Sequence, residues 1–451
     1  MSSALRLLLI CSLSASMGSA LGQIVTEDLK VLPDDGAADD QFGSSAALKN
    51  RLMALGAPRD SDNGIWSGAA YLFDAYTGAQ IAKLTPDDGQ ADDRFGSRVT
   101  LGGGLLIVSA HLDDDQGDAA GALYLVDTTD LTRVLKITPD DIEEGDHFGW
   151  SIAADSQYLA AGAVFDDDNG SSSGSVFLFS TQSSDSLGKL TPNDGAMDDR
   201  FGYSVDIDGG VVVVGAIGDD DGGSDSGSAY LFNAATGVQL HKLVPQDASA
   251  NIEFGYSVAI SGGLVAVGTR SDDNPGDVSG AVYVFDVSTG QQLHRMTPDD
   301  AQPGDEFGAV VDIFGDHVAV SAFGDGSDGL GGGSVYLFDA VTGNQAMKLV
   351  SSDASPGDLL GSSLALTRTK VLAGAALDDD QGSDSGSAYL FNLAPDCFAD
   401  TNHDGLLSPT DFTAWIGAYN LSGPDCDQNA DGSCAPNDFT AWLNNYNSGC
   451  P

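Results

Sequence analysis

Apolar residues in this chain come in short bursts whose period changes and then returns. From Phe201 the segment FGYSVDI alternates apolar and polar positions, the period of a strand with one buried face. VVVVGA from Val211 is apolar throughout, as in a strand buried on both faces. GSAYLF from Gly227 is again largely apolar, and VQLHKL from Val238 returns to alternation. Short glycine turns, DGG and NAATG, join the first segment to the second and the third to the fourth, which suits hairpins. The link between the second and third is different: it opens on three aspartates, DDDGGSDSG from Asp219. The pattern predicts four antiparallel strands, A to D.

The same pattern recurs at a fixed interval of 53 residues. Phe-Gly stands at Phe42, Phe95, Phe148, Phe201, Phe254 and Phe307, and Leu360-Gly361 makes a seventh. Asp60, Asp113, Asp166, Asp219, Asp272, Asp325 and Asp378 share one phase, as do the rings Tyr71, Tyr124, Phe177, Tyr230, Tyr283, Tyr336 and Tyr389. One unit is written seven times. Four-stranded antiparallel units repeated radially describe the blades of a β-propeller, whereas a linear solenoid would need capping repeats. The chain ends support a ring. After Phe391 it reads NLAPDC with no fourth strand, while DLKVLPDDG, before the first Phe-Gly, is a fourth strand without the other three. Its Lys30 sits at the phase of Lys83, Lys136, Lys189, Lys242, Arg295 and Lys348. The expected fold is mainly β: a seven-bladed propeller of 53-residue blades, closed by the N-terminal strand and followed by a small α-helical domain.

Composition adds a constraint. The 451 residues are 42% hydrophobic and 19% charged, with 58 glycines, which argues for a large core and against wholesale disorder. Acidic residues number 67 against 18 basic, a net charge of −49, and so acidic a surface excludes nucleic acid and anionic membrane as partners. A solubility coat is one reading, but such a coat would cover both faces of the disc. In an up-and-down blade the B–C and D–A loops share one face, and these hold 22 and 24 of the 67 acids.

Crowded carboxylates raise each other's pKa unless cations intervene. The sequence therefore nominates Ca2+, which takes hard oxygen ligands, in the loops carrying Asp113, Asp115, Asp166, Asp168, Asp219, Asp221, Asp378 and Asp380. Asp194 with Asp219 and Asp221 illustrates one cluster, and the sixth unit, DGSDG, is the most depleted. The alternative is that these aspartates only cap turns. The motif G-x-S-x-G at Gly223 and Gly382 lies between strands without a recurring histidine, so it reads as a turn rather than a nucleophile elbow. The six histidines show no metal-ligand spacing, and no catalytic constellation emerges, so a non-enzyme is expected.

The two termini carry separate signals. Arg6, the apolar run LLLICSL and the small residues SASMGSALG read as an export signal over residues 1–22, too short to span a bilayer. The propeller is assigned to 23–393 and a distinct module to 394–451. That module holds two twelve-residue loops, DTNHDGLLSPTD and DQNADGSCAPND, with oxygen ligands at positions 1, 3, 5 and 12 and glycine at 6, the spacing of a calcium loop. Leu406 and Ser433 would ligate through their carbonyls, and Ala435 leaves position 9 of the second loop to water. Cys397, Cys426, Cys434 and Cys450 all fall in this module, so two disulfides with three possible pairings are expected.

Two resemblances follow. Phe-Gly with a later Gly-Ala, at Gly56, Gly162 and Gly215, resembles FG-GAP repeats, which build the propellers of integrin α subunits and many bacterial surface proteins. The resemblance covers roughly residues 28–393 and implies a seven-bladed propeller that binds partners through its loops. Some members hold calcium in a D-x-D-x-D-G loop; the DDDxG loop here is shorter. The duplicated calcium loop with one following helix, FTAWIGAYN and FTAWLNNYN, resembles a dockerin over about residues 396–451.

The dockerin resemblance maps Asp400, Asn402, Asp404, Ser408 and Asp411 onto one calcium site and Asp427, Asn429, Asp431 and Asp438 onto the other, and it implies a cohesin-like partner. Pro409-Thr410 and Pro436-Asn437 depart from the Ser-Thr pair of cellulosomal dockerins. The expected function is an exported, calcium-binding, non-enzymatic binding or adhesion propeller. It would engage a protein or glycan ligand and be attached to the cell surface or an extracellular complex through a cohesin-like or surface-anchoring protein. The alternative is a carbohydrate-binding or polysaccharide-degrading component of a dockerin-assembled complex.

Overall fold

The computed structural model describes residues 23–271, 279–326, 331–393, 412–416, 439 and 442–443. The export signal, both twelve-residue calcium loops and all cysteines lie outside the described residues.

Seven antiparallel sheets form the blades of a ring. In blade 4 strand A is Phe201–Asp208, B is Val211–Ala216, C is Ser228–Asn233 and D is Val238–Leu243, in that spatial order. Strand A of each blade lies against strand A of the next, and blade 7 returns to blade 1. The uniformly apolar strand B is buried on both faces, as the sequence pattern requires: Val212, Val213 and Val214 are fully buried. The core is a set of wedges between blades. One wedge joins Val176, Leu178 and Leu190 of blade 3 to Phe201, Val214 and Tyr230 of blade 4. Phe201 meets Tyr230 and Phe232 edge-on, both at 5.6 Å.

Closure follows the expected route. Leu29–Val31 pairs antiparallel with Ser387–Asn392 and supplies the missing strand D of blade 7. A further strand, Gln23–Thr26, pairs parallel with Gln345–Val350 and adds a fifth strand to blade 6, which the sequence pattern did not predict. Two strands of one N-terminal segment thus stitch two neighbouring blades.

The structure explains the repeat's signature residues. Gly202, after Phe201, has φ of 91°, a conformation open chiefly to glycine, and it produces the register shift between Phe201 and Ser204. Gly215 makes room for its neighbour: a Cβ there would stand 2.0 Å from the Gly255 carbonyl oxygen and 2.4 Å from Ser204 Oγ. That space lets Ser204 donate to the Gly255 carbonyl of the next blade at 2.7 Å. Ser45, Ser151, Ser257 and Ser363 repeat the bond. Blades 2 and 6 solve the same problem in reverse. They carry Ser109 and Ser321 in place of the glycine, and these hydroxyls accept from the backbone of Arg98 and Val310, which stand where the other blades have serine.

The innermost strands enclose an axial cavity of about 230 Å³. In the C-terminal region residues 412–416 are helical, and Trp415 and Trp442, both buried, lie 6.3 Å apart with Phe412 and Phe439 packed against them.

Candidate functional site

The aspartate loops and the recurring lysine meet. Strand D of blade 4 carries Lys242 under the loop face, where its ammonium lies 2.8 Å from Asp194, 2.8 Å from Asp219 and 2.5 Å from Asp221. Asp194 arrives from the D–A loop and the other two from the B–C loop, so the two acidic loops share one face, as the topology predicts. Asp219 is buried, and its oxygens are fully engaged. Oδ1 accepts from the Asp221 amide at 3.0 Å, and Oδ2 accepts from Tyr230 at 2.6 Å and from Lys242. Burial pushes the Asp219 carboxyl up, but the hydrogen bonds from Lys242 and Tyr230 outweigh it and hold the group below its ordinary value. Burial likewise opposes the Lys242 ammonium, and its bonds to Asp194, Asp219 and Asp221 overcome that and hold it above its ordinary value.

The arrangement recurs around the ring. Asp113 and Asp115 surround Lys136 together with Asp88, and Asp378 and Asp380 surround Lys30 together with Asp353. Asp166 and Asp168 flank Lys189, with Asp141 further off at 3.5 Å. Blade 3 has Phe177 where others have tyrosine, and Ser175 donates to Asp166 in its place. Lys83 binds Asp35, Asp60 and Asp62; Lys348 binds Asp300 and Asp325; Arg295 reaches Asp247 and the Tyr283 hydroxyl.

The nominated metal ligands are therefore brought together, but around a cation the chain already supplies. Ligand atoms of Asp194, Asp219 and Asp221 lie within 4.8 Å of one another, close enough for one ion. The Oδ2 atoms of all three accept from Lys242, so the ammonium stands where a divalent ion shared by those oxygens would sit. Sequence reasoning noted the recurring lysine as a phase marker and missed this role. The available signal was a basic residue at one phase in seven units of a chain with so few.

A second tier lies beneath. Asp40, Asp93, Asp146 and Asp199, in the loop before Phe-Gly, are each buried and accept from the amide three residues earlier. Burial, then the charge of the neighbouring cluster, pushes each up to about 6. In the axial cavity a ring of small residues at one phase, Ala47, Ala153, Ala259 and Ala365, is interrupted by Thr100, Asp206 and Asp312. Asp206 Oδ2 accepts from the Ile260 amide of blade 5 and Asp312 Oδ2 from the Leu366 amide of blade 7. Burial pushes Asp206 up to about 6; burial and the charge of Asp206 push Asp312 up to about 7.

The histidines at one repeat phase bridge blades through backbone carbonyls, His241 to Ser288 and His294 to Val341.

Comparison with known proteins gives one family. The model for the FG-GAP repeat matches residues 25–73, 79–126, 131–179, 185–232, 238–285, 291–338 and 344–391. Each match runs from one strand D through strand C of the following blade. No curated protein matches. Among solved structures, a crystal structure of the computationally designed Ika8 protein aligns over 82% of this chain and 100% of its own, at 14% identity and a TM-score of 0.48, a likeness too slight to bear on function.

Proposed function

Because this chain belongs to the FG-GAP repeat family, we propose that it is an exported, non-enzymatic binding propeller, displayed on the cell surface or in an extracellular complex by its C-terminal module. The observation that carries this reading is the arrangement of the ring. Both classes of long loop are gathered on one face of a rigid scaffold, and the ion clusters beneath them are satisfied within the protein. Loops held by a rigid scaffold are where binding residues concentrate.

Calcium belongs to the C-terminal loops. Asp400, Asn402, Asp404, Leu406, Ser408 and Asp411 hold one ion, and Asp427, Asn429, Asp431, Ser433 and Asp438 the other, and two disulfides brace the small module. In the propeller, lysine and arginine do the work that calcium does in longer aspartate loops. The C-terminal module takes a cohesin-like or surface-anchoring partner, and the propeller face takes a protein or glycan. No described helix is long and apolar enough to cross a membrane.

The test is fractionation of producing cells with and without a chelator. The chain is expected in the medium or on the outer surface, with the surface fraction released by chelation. Recovery only from the cell interior refutes export, and surface retention through chelation refutes a calcium-dependent anchor.

A further inference from the structure

One region of the loop face breaks the sevenfold symmetry. The residue after Phe-Gly is small in blades 1, 2, 6 and 7 (Ser44, Ser97, Ala309, Ser362) but is Trp150, Tyr203 and Tyr256 in blades 3 to 5. Trp150 and Tyr203 lie 5.9 Å apart at 50°, and Tyr203 and Tyr256 lie 5.2 Å apart at 48°. Those angles match the turn of about 51° per blade of a seven-bladed ring, so the three rings form an arc about the axis. They precede, on their strands, the residues that line the axial cavity (Ile152, Val205, Val258). The arc therefore stands at the mouth of the channel.

One cation stands beside it in a chain whose net charge is −49. Arg98, freed from the inter-blade slot by the serine–glycine exchange in blade 2, is exposed at the mouth, and its guanidinium donates to the Ser97 carbonyl. The protein crowded around the guanidinium lowers its pKa, and the hydroxyls of Tyr203 and Tyr256 oppose that, so an anion placed beside it would further favour its charge. Elsewhere, Arg59 and Arg94 stack on Trp66 of the B–C loop of blade 1, at 5.3 and 5.4 Å.

We propose that this arc binds a saccharide bearing a carboxylate, its ring faces against Trp150, Tyr203 and Tyr256 and its carboxylate on Arg98. Aromatic rings offer apolar faces with polar tips, which suits the flat apolar side of a pyranose, and a guanidinium matches a carboxylate fork. The surrounding aspartate loops repel a polyanion, so the ligand carries one acidic sugar in an otherwise neutral chain. This assignment rests on the reading of the propeller as a binding module and names its site and ligand chemistry.

The test is an array of saccharides in matched pairs, with and without a glucuronate, probed with the full chain, and calorimetry on the strongest pair. Binding is expected to favour the acidic member at least tenfold. Trp150→Ala and Arg98→Gln should each weaken it at least tenfold, and Arg133→Gln, an exposed residue of a C–D hairpin, should leave it unchanged. Arg98 is exposed, so its variant stays informative if Trp150→Ala unfolds, and melting curves report which has occurred. No saturable binding, equal binding of neutral members, or indifference to Arg98→Gln overturns the proposal. Capture of an aspartate-containing peptide array instead would overturn the saccharide while leaving the binding propeller standing.

Discussion

Replacing Lys242 with methionine tests whether the ammonium is the working cation of the aspartate loops. The substitution keeps most of the aliphatic stem and removes the charge. Asp219, with its side chain 4% exposed, loses its buried counter-ion, and such losses run to about 3–5 kcal/mol. Asp194 and Asp221 are 44% and 68% exposed, so each of their pairs contributes only about 0.5 kcal/mol. Water reaching the open side places the total near the low end, about 3 kcal/mol. An unfolding entropy of roughly 2.1 cal/mol/K per residue over a ring of this size converts that to a fall in Tm of about 4 °C.

The same variant leaves three carboxylates within 4.8 Å with no ammonium among them. A weak extracellular-type site, with Kd of about 10⁻⁴ M, would gain about 2.7 kcal/mol at a hundredfold excess of calcium and recover most of the loss. The assay is calorimetric melting of wild type and Lys242→Met, each in calcium and in chelator. Any shift from the C-terminal loops is common to both proteins, so the difference between the two shifts reports the blade alone. Lys242→Arg, the residue type at Arg295 in blade 5, should melt within about 1 °C of wild type. If Lys242→Met melts like wild type, or if calcium stabilises both equally, the lysine is not the cation these loops are built around.

Three further outcomes follow from the geometry. The carboxyls of Asp206 and Asp312 are raised to about 6 and about 7 from 3.8, so the folded ring keeps protons that the unfolded chain has released. Their contribution to stability therefore increases as pH falls from about 7 to about 4, and the double variant Asp206→Asn, Asp312→Asn should flatten the denaturation midpoint over that window. An unchanged slope would refute the shared titration. Gly215→Ser should cost at least about 3 kcal/mol because its side chain meets Ser204 and the Gly255 carbonyl. Adding Ser204→Val, the pairing blade 6 already uses in Val310 and Ser321, should restore more than half, as a double-mutant cycle in urea would show. Deleting residues 23–31 removes the strands that complete blade 7 and extend blade 6. The exposed edges should lower Tm and cause concentration-dependent association in size-exclusion chromatography; a monomer with unchanged Tm would show that the ring closes without them.

Much of the fold was legible before any coordinates. An alternating strand, an apolar strand and a glycine turn are local patterns, and a 53-residue repeat multiplies each local signal by seven. The circular shift of strand D was readable too, because the two ends carry complementary fragments of one unit. The parallel strand Gln23–Thr26 was not, since a four-residue segment has no repeat to mark it.

Sequence alone determined the unit, the blade number, the closing strand and the face on which the acids collect. Only the tertiary structure decided what those acids do. Lys242 is 21 residues from Asp221 and 48 from Asp194, and Lys30 is 350 from Asp380. Sequence distance carries no information about such meetings until the ring has closed. The same holds for the arc of Trp150, Tyr203 and Tyr256. Each is one aromatic residue in its own blade, and only rotation about a common axis sets the three side by side at one mouth. A strand's period tells which face a side chain takes; which neighbour it finds there depends on how the blades pack around the axis.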